Sequence, residues 1–247
     1  MTRQSFVCSV ILLAFVTGAL ALAADIAPIN ITKAPDKDEH TVLLLHLDEG
    51  EGDVAADQSG LNNHGKISGA TWCEGKFGKA LEFDGVDDYL SCLGERHRPP
   101  HFDFGETTDF TIEFWINSTS TRRGAPLINK KLRGSFDDPG FYVYLDNGKA
   151  KAAVADGINQ VVVSHPQGVT DGQWHHIALV VERKANATLY VDGVAGDSVN
   201  VSYLTDVTNP KRELRIMDRG HDAGTKGMVD EIRISKVARR FGAPTKD

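Results

Sequence analysis

The side chains best suited to chemistry in this chain are carboxylates, histidines, cysteines and aromatic rings carried on strand-like segments. Cleaving a glycosidic bond with retention needs two carboxyl groups about 5 Å apart across the scissile bond. Glu113 stands in Phe-Thr-Ile-Glu-Phe-Trp-Ile-Asn (110–117) with no carboxylate two residues away. Glu82-Phe83-Asp84 begins such an alternation but runs into Gly85-Val86. Asp230 and Glu231 are neighbours, and neighbours on a strand face opposite sides. Two separate strands can still supply a pair. His175-His176 are also neighbours, so they do not ligate one ion from a regular strand. No H-E-x-x-H run, cysteine cluster or G-x-S-x-G elbow accompanies them, and both are read as structural. Sugar recognition pairs aromatic faces with amides and carboxylates. Tyr142 and Tyr144 share one face of their segment, and Trp115 lies on the less apolar face of its own.

These residues need strands to hold them. Residues 176–181 and 188–192, within 174–193, alternate with a period of two and read as a hairpin closed at 183–187. Phe110, Ile112, Phe114 and Ile116 line one face of 109–117. Segments 141–145 and 149–154 pair through Asn147-Gly148, and a further turn starts at Asp192-Gly193; both dipeptides suit positive φ. Further strands are expected at 41–47, 65–67, 70–73, 126–130, 160–164, 194–201, 213–217 and 228–235, with a hairpin formed by 80–83 and 89–93. Residues 236–240 suit one helical turn. Many short strands and almost no helical periodicity predict an all-β, two-sheet antiparallel β-sandwich.

Trp-His-His-Ile-Ala-Leu (174–179) followed by Leu-Tyr-Val-Asp-Gly (189–193) resembles the laminin-G-like, concanavalin A-like jelly-roll family, to which the pentraxins are related. Asp57-Gln-Ser-Gly60 with Asn63-His-Gly65, Gly78-Lys-Ala-Leu-Glu-Phe-Asp-Gly85 and Gly227-Met-Val-Asp-Glu-Ile-Arg-Ile234 agree in the same order. The resemblance spans about 41–240 and implies the jelly-roll fold, which hosts lectins, enzymes and adhesion modules. The family's enzymes carry Glu-x-Asp-x-Glu on one strand; that run is missing here, so no catalytic residue is assigned. The resemblance also implies a structural calcium ion held by Asp57, Asn62, the carbonyl near Gly65, and Asp230. A second acidic group, Asp137, Asp138, Asp218 and Asp222, stands where the pentraxins bind calcium. The first and last strands of this topology are expected to lie close together.

Composition bounds the rest. The formal net charge of −7 argues against nucleic acid, which needs a basic stripe. Arg122-Arg123 and Lys130-Lys131 are read as solvated pairs. Residues 1–24 read as a signal peptide: Arg3, an apolar run from Phe6, and Ala21-Leu22-Ala23. No later segment reads as a transmembrane anchor. Residues 25–40 read as a flexible leader, 41–240 as the domain and 241–247 as a tail. Removing the signal leaves Cys73 and Cys92, an even pair flanking the expected 80–93 hairpin, and a disulfide between them is expected. The sequence therefore predicts a secreted, periplasmic or cell-surface binding module. Its expected partner is a glycan, with calcium as the structural ion. The alternatives are a protein-binding adhesion or scaffold module and an atypical glycoside hydrolase or lyase.

Overall fold

In the computed structural model, residues 28–92, 101–132, 135, 137–218 and 224–242 are described. The signal segment lies outside them. The strands are β1 (Thr41–Leu45), β2 (Val54–Ala55), β3 (Gly65–Ser68), β4 (Thr71–Glu74), β5 (Lys79–Asp84), β6 (Tyr89–Cys92), β7 (Phe110–Asn117) and β8 (Ala125–Asn129). They continue with β9 (Gly140–Asp146), β10 (Lys149–Ala155), β11 (Gln160–Gly168), β12 (Trp174–Val181), β13 (Asn186–Val191), β14 (Val194–Asn200), β15 (Leu214–Ile216) and β16 (Lys226–Ser235).

They form two eight-stranded sheets. The first runs β14-β13-β12-β7-β16-β5-β4, with β1 added beside β16. The second runs β11-β10-β9-β8-β15-β6-β3-β2. All the strand pairs are antiparallel, so the architecture is the two-sheet sandwich that the alternating pattern predicts. β1 does pair with β16, Leu44 opposite Arg233, so the first strand and the last close one sheet. The turns at Asn147-Gly148 and Asp192-Gly193 have positive φ at both positions, the conformation that lets a two-residue loop match strand twist. Residues 236–240 form bends and coil rather than a helical turn.

Inward-facing residues of both sheets, among them Phe110, Ile112, Phe114, Ile177, Leu179, Phe141, Val143 and Ile216, make one buried core. Fully burying a side chain of this kind contributes roughly 1.5–3 kcal/mol, so the alternation that fixes which residues point inward also fixes strand register.

Two sequence expectations fail here for one reason. β5 and β6 are consecutive but do not pair: β5 lies between β4 and β16, and β6 between β3 and β15 in the other sheet. The chain crosses between sheets at 85–88 instead of turning a hairpin. Cys73 on β4 and Cys92 on β6 therefore sit in different sheets, and both are free thiols; the expected disulfide is not present. The Cys92 thiol is wholly buried. The "leader" also differs from expectation. Residues 28–40 lie along the outside of the first sheet, with Ile31 buried, Ile29 bridged to Phe241, and the Ile29 N–H donating to the Arg240 carbonyl at 2.8 Å.

Candidate functional site

Each sheet has an outer face, and the candidate residues divide between them. On the first sheet, Glu113, Trp115, His176 and Arg233 point away from the core, because their neighbours along the strands point in. Glu113 is 2 % exposed and accepts from Arg233 Nε at 2.7 Å, with His176 Nε2 at 3.3 Å and Arg239 Nε at 3.9 Å. Burial pushes the Glu113 carboxyl up, but its bond to His176 and the Arg233 charge outweigh that and hold it below the usual range. Arg239 in turn clasps both oxygens of Asp38 at 2.8 Å and donates to Ser235 Oγ at 2.7 Å. Arg233 Nη1 donates to the Asp36 carbonyl at 3.0 Å. Residues 28–40 are thus fastened over this face by two arginines.

Asp230 and Glu231 are the instructive pair. Asp230 lies opposite Trp115 and Arg233 opposite Glu113, so Glu231 and Ile232 together face the single residue Phe114. That is a β-bulge, and Glu231 takes the positive φ of 52° it requires. Ile232 stays in the core, so both carboxylates turn outward rather than to opposite sides. Glu231 Oε2 meets His46 Nδ1 at 2.6 Å. Asp230 Oδ2 accepts from the Lys76 and Phe77 N–H groups at 2.7 and 2.9 Å, while its buried Oδ1 has no hydrogen-bond partner. Burial, with the nearby Glu231 charge, pushes Asp230 up to about 7. Trp115 is 6 % exposed beneath Lys76 and Phe77 and beside His176. Phe241 packs on His176 and Tyr190, ring centroids 5.4 Å away in each case. The cavity under residues 29–35 that touches Glu113, Trp115, His176 and Glu231 is about 10 Å³, the size of a single water, while a separate, more open cleft of about 330 Å³ lies between residues 28–38 and Arg233 and Arg239.

The second sheet's outer face is assembled differently. Tyr142 and Tyr144 point away from the core, ring centroids 5.3 Å apart; Tyr144 is half-buried and Tyr142 only 2 % exposed. Asn129 is the cross-strand neighbour of Tyr142, and Arg215 that of Asn129. Arg215 lies 4.6 Å from the Tyr89 ring centre, a cation–π stack, and pairs with Asp218 and Glu213. Lys151 joins Asp146 at 2.8 Å along the same face. Trp115 belongs to the opposite side of the molecule, so the three expected aromatic platforms do not form one surface.

The expected calcium ligands do not fit an ion. Asp57 is buried with both oxygens engaged: Oδ1 accepts from the Leu44 and Ser59 N–H groups at 3.0 and 2.9 Å, and Oδ2 from Ser59 Oγ and the Asn63 N–H at 2.6 and 2.9 Å. Asn62 is exposed at a positive-φ turn. The buried amide is Asn63, which donates to the Val42 carbonyl at 2.8 Å. Asp230 is held by the 76–77 turn and shares no partner with Asp57. In the second group, Asp138 Oδ1 accepts from Asn209 Nδ2 at 2.9 Å and Oδ2 meets Arg212 Nε at 3.2 Å. Asp218 is engaged by Arg215, and Asp222 lies outside the described residues. Among the described residues, the acidic trio whose ligand oxygens lie within 4.8 Å of one another is Asp84, Asp87 and Asp88, on the crossover between the sheets. It was not among the expected ligands, because a presumed hairpin turn hid it. Lys130 and Lys131, expected in solvent, are 1 % and 2 % exposed.

The comparisons with known proteins agree with this architecture. Residues 85–240 match the family model described as the concanavalin A-like lectin/glucanases superfamily. The chain belongs to that superfamily. It is also similar to Paraclostridial mosquitocidal protein 1 of Paraclostridium bifermentans, 22 % identical over 173 residues, which are 64 % of this chain and 14 % of the toxin. The solved binding domain of that toxin superposes with a TM-score of 0.66 at 20 % identity, covering 81 % of this chain and 49 % of that one. The botulinum neurotoxin serotype D binding domain gives 0.62 at 12 % identity, covering 81 % and 48 %. Domain 4 of a Geobacillus stearothermophilus GH43 arabinanase, solved with arabinotriose, gives 0.61 at 18 % identity, covering 81 % of this chain and 94 % of that domain. The chain thus spans about half, or less, of the toxin chains it resembles.

Proposed function

We propose that this superfamily member is an exported, non-catalytic binding module that captures glycans on the outer face of its second sheet. The observation that carries the reading is the half-exposed row of Tyr144, Asn129 and Arg215 stacked on Tyr89, with the buried Tyr142 ring packed beside Tyr144. It offers the Tyr144 ring, an amide and an oriented guanidinium, the mixture that suits a ring with one apolar face and a hydroxyl edge. The arabinotriose-bound arabinanase domain and the toxin binding domains lend support by analogy of fold. The non-catalytic part rests on Glu113. It is a counter-ion to Arg233 and His176 beneath a covering segment, a position that suits structure rather than proton transfer to a substrate.

The test is a glycan array on the secreted protein, alongside Tyr144→Ala and Arg215→Ala. Glycan capture weakened by both substitutions supports the reading; a wild type that binds no glycan removes it. A protein partner is the second reading. It is favoured by Ile158 and Tyr203, 80 % and 55 % exposed on adjacent loops that Asp156 ties together through the Ile158 and Thr205 N–H groups. Specific capture of one cell-surface protein, lost in Ile158→Ser, would favour it.

A further inference from the structure

His175 and His176 point to opposite sides of β12, and their rings meet different company. His175 shares the inner side with Ile177 and Leu179 and is 8 % exposed at the end of the core. Its ring lies between two carboxylates: Nδ1 is 2.8 Å from Asp192 Oδ2, and Nε2 is 3.1 Å from Asp171 Oδ1. Both carboxylates are also fixed by other donors. Asp192 Oδ1 accepts from the His176 N–H at 2.8 Å and Oδ2 from Gln167 Nε2 at 2.9 Å, while Asp171 Oδ1 accepts from the Gln173 N–H at 2.9 Å. An ionised carboxylate only accepts hydrogen bonds, and a neutral imidazole has a single N–H to give. Imidazolium alone satisfies both contacts. We infer that His175 is a proton-operated latch: as imidazolium it ties the 169–173 connection before β12 to the turn after β13, and on losing its Nε2 proton it frees that connection while keeping Asp192.

Exposure decides which proton leaves. The Asp171 side chain is 59 % exposed and free to swing into water, whereas that of Asp192 is 31 % exposed and held by three donors. The latch acts where three connections meet: the Gly172 N–H donates to the Ser118 carbonyl at 3.3 Å, after β7, and the Val169 N–H to the Gly148 carbonyl at 2.9 Å, in the turn after β9. Val169 is itself buried, so the part set free is 171–173. Neighbouring charges do not compete. His165 on β11 is held neutral by burial, its Nδ1 accepting from the Gln167 N–H at 3.2 Å. Asp197 on β14 is taken by the Ser164 N–H and Oγ at 3.1 and 2.6 Å. Lys149, opposite Gly168, lies on the outer side of the second sheet, and β7 presents Ile116 to His175. Burial disfavours charge on the His175 ring, but Asp192 and Asp171 outweigh it and raise the ring above its usual value near 6.5. The latch is therefore closed below about pH 6.5 and opens as pH rises through the raised value.

The experiment is nitrogen NMR of the histidine-labelled secreted protein, following both His175 ring nitrogens from about pH 5 to about pH 9, with amide exchange measured across the same range. In the wild type, Nε2 should lose its proton with a midpoint above about 6.5, and Nδ1 should stay protonated throughout. Beyond its intrinsic pH dependence, the Gly172 amide should exchange roughly two- to fivefold faster once the latch is open, the range a partly exposed ion pair supports. Asp171→Asn keeps an acceptor for the Gln173 N–H but removes the charge. It should lower the His175 midpoint by roughly one pH unit and make Gly172 exchange alike at both ends of the range. Asp171 is exposed, so this variant should fold; if it does not, the wild-type ring titration decides alone. A wild-type ring that gives up the Nδ1 proton, or a midpoint at or below the usual value, overturns the proposal. So does Gly172 exchange that depends on pH as strongly in Asp171→Asn as in the wild type.

Discussion

The two outer faces of the sandwich are made from the same alternation and have opposite fates. On the first sheet, Glu113, Trp115, His176, Arg233 and Asp230 are each buried, covered by residues 28–40, by Phe241 and by the 76–77 turn. On the second, Tyr144, Asn129, Arg215 and Tyr89 remain half-exposed. The sealed face holds more residue types associated with catalysis, yet its carboxylates are spent on arginines, histidines and backbone N–H groups. The difference teaches that chemistry-bearing types mark a site only where a ligand can reach them. A buried ion pair is itself weak evidence of stability, because desolvation offsets the attraction. Removing one partner is another matter, and this makes the contrast testable.

The largest expected effect is therefore on the sealed face. Glu113→Ala leaves Arg233 and His176 buried without their shared counter-ion, and should cost about 3–5 kcal/mol in urea unfolding. Glu113→Gln, which keeps an acceptor, should cost less. Both should bind glycan as wild type does while folded. A normal unfolding midpoint for Glu113→Ala, or a selective loss of glycan binding, would break the assignment of this face to structure.

The same contrast shows what could be read from the sequence. The strands were legible almost throughout, because hydrophobic alternation reports the burial that fixes them. Only the two-residue β2, inside an acidic, glycine-rich stretch, gave no such signal. Sheet membership was less legible: alternation says which side of a strand is buried, not which sheet the strand joins. That is why β5 and β6 read as a hairpin and Cys73 and Cys92 as a bridge. Outward partners were hidden for a related reason. Glu113 between Ile112 and Phe114, and Arg233 between Ile232 and Ile234, do hint at a buried pair, since opposite charges amid apolar runs need each other. The bulge that turns Asp230 and Glu231 outward together left no comparable mark, because it depends on β7 offering one residue opposite two.

A second prediction concerns that bulge. Asp230, near 3.8 in an unfolded chain, is pushed up to about 7 in the fold. The folded state therefore holds a proton that the unfolded state has released between those values. Stability should be fully present below about pH 4 and decline as pH rises towards 7, by on the order of 4 kcal/mol before relaxation. Asp230→Asn keeps an oxygen for the Lys76 and Phe77 N–H groups and has no charge to release. It should flatten this dependence, melting higher than wild type at pH 8 and close to it at pH 4.5. Equal melting at pH 8 would show that the buried Oδ1 finds solvation when ionised.

The smallest effect is expected on the open face, and only in binding. Tyr144 lies on the outer side of β9 with its Cα partners Lys151 and Pro126 in adjacent strands, so truncating it removes a ring from a surface rather than from the core. Tyr144→Ala should change stability by less than about 1 kcal/mol, since half-exposed side chains contribute a fraction of a full burial. An aromatic face on a sugar ring contributes on the order of 1 kcal/mol, so affinity for a glycan captured by the wild type should fall roughly five- to tenfold. Trp115→Ala is the control from the other side of the sandwich. It should lower the melting temperature more than Tyr144→Ala and leave glycan affinity unchanged. Calorimetry on both variants, with one ligand taken from the array, separates the faces. If Trp115→Ala weakens binding while Tyr144→Ala does not, the ligand enters beneath residues 28–40, and the open and sealed faces have been assigned the wrong way round.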